Sequence, residues 1–390
     1  MAIERVARQG WFSRIRSAVV GILIGIVLVG AAGVLQFWNE GRTLRQQQLL
    51  EAGRAEVVSV PAAEAAAYEG RLLHISDALR AEGELVDTDF NQVAEGLGLR
   101  RKVEMFQWRE RKETREETSV GGSKTTRTIY RYERDWDDDL IDGSSFAEPA
   151  GHQNPASMPF PSRQWRAERV FLGGLALASA VVAKIDGWRP MAVQAERLPA
   201  NLALNFQLDD GRLSTVQGTP EVGDIRISYA RLPEGPLSVV ARFAGGELQP
   251  ELREQGQLLL VERGQHSADA LFEAAESRNT GIGWALRLGG FVLMWAGFAL
   301  VLAPLAVFAD VVPMLGRLTR WISTLISGVL SALISFVAIA SGWLYHRPWL
   351  LGLLLIGIAC GLAWLLLRRR SDSAAPPAAP PPPPPPRHSQ

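Results

Sequence analysis

Three unbroken apolar runs, at 288–308, 322–345 and 349–367, constrain this chain more than any other feature. None contains a charged residue, and each is near the roughly 20 residues a helix needs to cross a hydrocarbon core of about 30 Å. In lipid every backbone polar group must be paired within its own segment, so runs of this length read as spanning helices. A fourth run, 17–38, lies near the other end. The expected fold is an α+β membrane protein with four transmembrane helices, one N-terminal and three C-terminal. Residues 39–283 then form a large β-rich external domain between the first and second spans.

Charge orients this arrangement. The net charge is zero, yet it divides sharply along the chain. Outside 39–283, twelve arginines face only Glu4, Asp310 and Asp372, so those parts carry +9 and the insert −9. Arginine and lysine collect on cytoplasmic flanks, counted over short loops close to the spans. Four spans place the basic arm 1–16, read as mobile, the loop 309–321 and the tail 368–390 together on the cytoplasmic side. Arg347 is then the one basic residue of the short outer hairpin, and the acidic insert lies outside. Trp38, Trp284, Trp321, Trp343 and Trp349 fall at span edges, where an aromatic belt sits.

The single cysteine, Cys360, lies in the last run, so the insert has no disulfides to rely on. Only Lys102, Lys112, Lys124 and Lys184 are lysines. That arginine bias suggests a GC-rich bacterial genome, hence an inner-membrane protein with a periplasmic insert. The run 17–38 is longer than a signal-peptide core of about 7–15 residues and ends in Phe37-Trp38, so it reads as an uncleaved anchor. Gly21 with Gly25, and Gly357 with Gly361, form GxxxG pairs that seat a neighbouring helix or simply reflect the abundance of glycine in membrane helices.

Beyond the first span, 42–58 has helical composition. Short β-favouring stretches with glycine-marked turns follow at 71–75, 83–86 and 101–109. Residues 102–111 and 125–134 read as a long hairpin turning near Gly121-Gly122, wet on at least one face and bearing cross-strand charge pairs. Further strands are expected at 212–216, 224–229, 237–243 and 258–261. Gly70-Arg71-Leu72 leading to Gly83-Glu84-Leu85 parallels Gly211-Arg212-Leu213 leading to Gly223-Asp224-Ile225, which suggests a duplicated β-unit or a chance likeness. The apolar stretch 170–183 is too short to span and reads as a buried or interfacial helix. Ser267 is placed to cap a helix that leads into the second span. The proline run at 380–386 has polyproline II character.

Motifs of catalysis are missing from the sequence. The histidines His74, His152, His266, His346 and His388 share no metal-ligand spacing, and no phosphate loop, HExxH or nucleophile elbow occurs. The acidic cluster Asp135, Asp137, Asp138, Asp139 and Asp142 departs from the EF-hand pattern, with Leu140 at the glycine position and Phe146 at the bidentate glutamate position. It reads as a solvated turn. His152 with Asn154 and Glu148 could serve a periplasmic hydrolase, or could simply order a loop. The spans hold no deep ionisable residue of the kind a conduction path needs, although an accessory subunit of a channel needs none. An insert at −9 repels nucleic acid. No metal, cofactor or catalytic residue is assigned.

Several stretches, in order along nearly the whole chain, resemble the LUMA (transmembrane protein 43) family. They are Phe37-Trp38-Asn39-Glu40-Gly41-Arg42, Gly70-Arg71-Leu72-Leu73-His74-Ile75-Ser76, Val103-Glu104-Met105-Phe106-Gln107-Trp108, Gly151-His152-Gln153-Asn154-Pro155, Trp284-Ala285-Leu286-Arg287, and Ala340-Ser341-Gly342-Trp343-Leu344-Tyr345-His346-Arg347-Pro348. The resemblance implies four spans and a large lumenal or periplasmic domain. It also implies a non-enzymatic membrane scaffold that holds membrane or envelope proteins and self-associates. In animals that means the endoplasmic reticulum and inner nuclear membrane. The resemblance marks Asn39, Glu40, Gly41, Arg42, His74, Trp108, His152, Asn154, Pro155, Arg347 and Pro348 as candidate interaction residues. The proline-rich tail departs from the family pattern.

Overall fold

The computed structural model describes residues 2–119, 123–310 and 313–347, with isolated positions between 349 and 364. Pro348, most of the run 349–367, the Gly121-Gly122 turn and the proline tail lie outside the described residues. Among the described residues, three helices are long and apolar enough to cross a membrane: α1 (Trp11–Glu56), α2 (Ala268–Ala309) and α3 (Pro313–His346). At 1.5 Å per residue, α1 is about 69 Å long and α2 about 63 Å, roughly twice a hydrocarbon core. Each therefore carries a rigid extension beyond its apolar part. Ser267 starts α2 as expected, its hydroxyl accepting from the Ala270 amide at 3.3 Å.

Small residues bring α1 and α2 together. Ala18, Gly21, Gly25 and Ala32 of α1 are buried, at spacings that keep one helix face. A Cβ at Gly25 would lie 2.5 Å from the Gly297 carbonyl, and one at Gly297 would lie 2.9 Å from the Gly25 carbonyl, so these backbones touch. Gly21 makes looser contact with Leu300 at 3.9 Å. Gly357 and Gly361 meet nothing within 4 Å among the described residues. Gln36, buried within the bundle, donates to Ser335 at 3.0 Å. At the N-terminal end of α1, Asp310 accepts from Arg14 and, at 3.0 Å, from Arg320.

The main strands are β1 (Ala2–Gln9), β2 (Leu72–Ala81), β3 (Gly98–Thr118), β4 (Lys124–Asp137), β5 (Ile225–Leu232) and β6 (Gly235–Ala244). They build two units. In the first, β2, β6, Glu247–Gln249, Leu175–Leu177 and Val170–Leu172 pair in turn and return to β2, closing a five-stranded barrel. Alternate residues of β2 and β6 fill it: Leu73, Ile75 and Leu79 meet Leu237, Val239, Ala241 and Phe243. The opposite phase, Leu72 and Val240, packs outward on Leu49 and Leu50 of α1 and on Leu271 and Phe272 of α2. Period-two alternation thus serves two cores at once.

The second unit is an eight-stranded sheet centred on β3 and β5. Its core holds Leu99, Val103, Met105, Ile225, Ile227 and Tyr229. Arg101 lies within this core, fully buried, with two hydrogen bonds to Asp87 (2.7 and 2.9 Å) and one to Asp89 (2.9 Å). The Tyr229 hydroxyl donates to Asp87 at 2.6 Å; burial first, and that carboxylate second, push its phenol far above the ordinary range. This cluster clamps the hairpin Glu84–Asp87 and Gln92–Glu95 over the sheet.

Three expectations need correction. The stretch 170–183 is a β-hairpin, Val170–Leu172 and Leu175–Leu177, followed by one helical turn at Ser179–Val182. Gly173 and Gly174, with φ of 57° and 93°, turn the chain back where a helix would have continued. The basic arm is not mobile: β1 lies antiparallel on the edge of β4, pairing Val6 with Arg127. The two similar glycine-marked stretches do not repeat one unit. Arg212–Ser214 pairs with β5, whereas β2 pairs with β6 and not with Glu84–Asp87.

Candidate functional site

The segment just beyond the apolar part of α1 carries Asn39-Glu40-Gly41-Arg42, and the helix turns all four toward α2 and α3. Glu40, only 3% exposed, forms a two-point ion pair with Arg287 of α2, with both hydrogen bonds at 2.8 Å. One turn away two asparagines exchange contacts across the helices. Asn39 donates to the Gly283 carbonyl and Asn279 to the Thr43 carbonyl, each at 3.1 Å. Small residues allow this approach. A Cβ at Gly342 of α3 would sit 3.0 Å from the Glu40 Cβ, and the His346 ring lies directly against Gly41. Arg42 reaches Thr43 Oγ1 at 3.2 Å.

Arginines and tryptophans ring this junction. The Arg287 guanidinium stands 5.0 Å from the Trp284 ring centroid, and that of Arg347 stands 4.8 Å from Trp343. Phe37 packs on Tyr345 and His346, with centroids 5.5 and 5.8 Å apart. Three sequence-distant stretches thus build one polar latch where the three helices leave their apolar segments. Asn39, Glu40, Gly41, Arg42 and Arg347 all belong to it. Arg287 and Asn279 do too; Arg287 lies in a stretch that carried the resemblance, but a lone arginine at a span edge gives no sign of its carboxylate partner.

The remaining candidates gather in two other places. Asn154 orders the base of the β3–β4 ribbon by accepting from the Trp108 amide (2.7 Å) and donating to the Trp108 and Ile141 carbonyls (2.9 and 3.1 Å). His152, buried, stacks on Tyr132 at 3.8 Å and meets Trp108 edge-on at 4.8 Å, with Nδ1 on the Glu148 carbonyl at 3.1 Å. Pro155 lies 3.5 Å from the position a Cβ would take on Gly223. These are contacts that order a loop. Among the acidic cluster, Asp137 pairs with Arg109, Asp138 with Lys102 at 3.5 Å, and Asp142 caps Ser144 at 2.9 Å.

His74 joins the barrel to the start of α2. Its Nε2–H donates to the His266 carbonyl at 2.9 Å, leaving Nδ1 to accept from the Ser59 hydroxyl at 3.0 Å. Burial holds its pKa below the ordinary histidine value, only partly opposed by the bond to His266. Ser238 completes the joint: its hydroxyl donates to the Gly264 carbonyl at 2.9 Å, accepts from the His266 amide at 2.8 Å and lies 2.9 Å from the Ser76 hydroxyl.

A family model described as Transmembrane protein 43 matches residues 105–348. Transmembrane protein 43 of Homo sapiens is 30% identical over 370 residues, covering 92% of each chain. The Rattus norvegicus protein is 31% identical over 354 residues, 87% of this chain and 88% of the relative. The Drosophila melanogaster homolog is 28% identical over 351 residues, 88% of this chain and 93% of its own. No solved structure matches. With the family model spanning more than half of the residues and relatives aligned over nearly the full length, this chain belongs to the transmembrane protein 43 family.

Proposed function

We propose that the chain is a non-enzymatic membrane scaffold that presents its β domain to envelope or membrane proteins and to further copies of itself. In this reading the run 349–367 is a fourth span, both termini are cytoplasmic, and 39–283 lies in the periplasm of a bacterial inner membrane. The observation that supports it most is helix continuity. α1 and α2 each pass without a break from apolar segment to domain, where Leu49, Leu50, Leu271 and Phe272 are buried against the barrel. A domain held by two stiff helices keeps one orientation relative to the bilayer, as a presenting surface requires. A hydrolase reading rests on His152, and that ring is stacked between Tyr132 and Trp108 on a loop carbonyl.

This topology has a structural cost. Threading α1 through a bilayer puts β1 and the external β3–β4 ribbon on opposite sides. The ribbon carries Arg109, Arg111, Lys112 and Arg115, so it cannot lie in hydrocarbon. β1 must then leave β4 when the protein inserts.

Photocrosslinkers at the exposed Leu204 and Leu252 of the domain test the scaffold directly in native membranes. Discrete protein adducts, including adducts to a second copy, are expected. Adducts to neither proteins nor copies from both positions would overturn the reading.

A further inference from the structure

The outer ends of α2 and α3 leave an apolar groove of about 480 Å³ between Trp284, Phe336, Ile339, Ala340, Trp343 and Leu344, with Arg287 on its rim. A smaller cavity of about 200 Å³ shares Arg287 and Trp343 and extends to Glu40, His346 and Arg347. The two therefore adjoin, with one arginine and one tryptophan lining both. Their polar end has an excess of positive charge. Arg287 and Arg347 line it, Arg42 stands beside it near Gly283, and Glu40 is the only carboxylate lining either cavity among the described residues. Glu40 is engaged by Arg287. Arg347 has no carboxylate partner among the described residues; its guanidinium rests on the Trp343 face.

We propose that the groove and its arginine rim bind an anionic phospholipid, one acyl chain lying between α2 and α3 and the phosphate held at Arg347 and Arg287. The groove alone would accept any hydrocarbon. Selection comes from the rim, where an uncompensated guanidinium sits at the level of the belt tryptophans, the depth at which lipid phosphates lie. Arginine offers a planar fork of donors suited to phosphate oxygens, and stacking on Trp343 fixes that fork in place. The lipid would also cover the exposed faces of Trp284, Phe336 and Trp343 and seal the latch from water. This site rests on the topology proposed above, which puts the junction at the outer leaflet.

The test uses the full chain in lipid nanodiscs containing either phosphatidylglycerol or phosphatidylcholine with a photoreactive group in the acyl chain. Phosphatidylglycerol is expected to label the peptides around Trp284 and Ala340 severalfold more than phosphatidylcholine. Ala340→Trp, which fills the groove without touching charge, should lower that labelling severalfold. Arg347→Gln should remove the preference between the two lipids while groove labelling persists. Equal labelling by both lipids in the parent chain, or labelling indifferent to Ala340→Trp, would overturn the site. So would a ready disulfide between Ala340→Cys and Leu353→Cys in a Cys360→Ser background, which would show the last apolar run filling the groove. Labelling by neither lipid anywhere on the chain would mean that the helices are not in the bilayer, and both readings would fall together.

Discussion

Glu40 and Arg287 are 247 positions apart in sequence, yet their side chains meet through two hydrogen bonds of 2.8 Å where α1 and α2 leave their apolar segments. The carboxylate is almost wholly buried, so the pair is a committed junction rather than a surface contact. Removing one partner leaves the other charge without compensation. Glu40→Gln is expected to destabilise the helix assembly by about 3 kcal/mol, the lower end for a broken buried pair. Glu40→Met with Arg287→Met should recover much of that loss. Thermal unfolding in detergent of Glu40→Met, Arg287→Met and the double variant measures the coupling.

Close backbone contact at Gly25 and Gly297 leaves no room for a side chain. Gly25→Val places atoms against a carbonyl that cannot rotate away, and a loss of roughly 1–3 kcal/mol is expected. Gly33→Val is the control, since a Cβ there meets nothing within 4 Å, and its unfolding temperature should match the parent. Equal effects from both substitutions would show that α1 and α2 do not pack through this face.

Acidification should act in two separate windows. Burial lowers the pKa of His74, so the folded state takes up a proton less readily than the unfolded chain. Its contribution is complete above the ordinary value of 6.5 and diminishes as pH falls below it. Desolvation alone would raise Glu104, but Arg226 and Lys102 outweigh it and hold the carboxyl below its ordinary 4.5. Its stabilisation is present above that value and is lost as pH falls through the depressed one. Melting temperatures should therefore drop as pH falls below about 6.5, and His74→Gln should flatten that first decrease. The further loss below about pH 4.5 should persist in His74→Gln.

Asn154 satisfies three backbone groups of two separate segments. Asn154→Ala orphans them and is expected to cost at least about 3 kcal/mol, at roughly 1 kcal/mol or more for each buried group left unpaired. Hydrogen exchange at the Trp108 amide, which donates to Asn154, should rise more than at the Ile141 amide, which donates to Gln107. Exchange unchanged at Trp108 would mean that other contacts order this loop.

The pairing of β1 with β4 is tested by a Val6→Cys and Arg127→Cys pair in a Cys360→Ser background, since these residues are register partners. The proposed topology expects no disulfide in intact membranes. Efficient crosslinking there would place the N-terminus on the domain side and rule out a first crossing by α1.

Much of this architecture was legible in the linear chain, because membrane helices and strands follow from local pattern. Uncharged runs near 20 residues read as candidate spanning helices, and three of the four are present as helices among the described residues. Alternation and glycine turns located β2, β3, β4, β5 and β6 for the same reason. Tertiary structure alone decided the rest, since it depends on which surfaces meet. Residues 170–183 are apolar enough for a buried helix or a buried hairpin, and closure of the barrel against Ala78 and Leu248 selects the hairpin. Arg101 reads as one more ribbon charge until Asp87 and Tyr229 fold over it. The latch is the clearest case: Asn39, Glu40, Arg42 and Arg347 stood out as residues, but only helix packing at Gly342 and Gly283 brings Arg287, Asn279 and the two tryptophans to them.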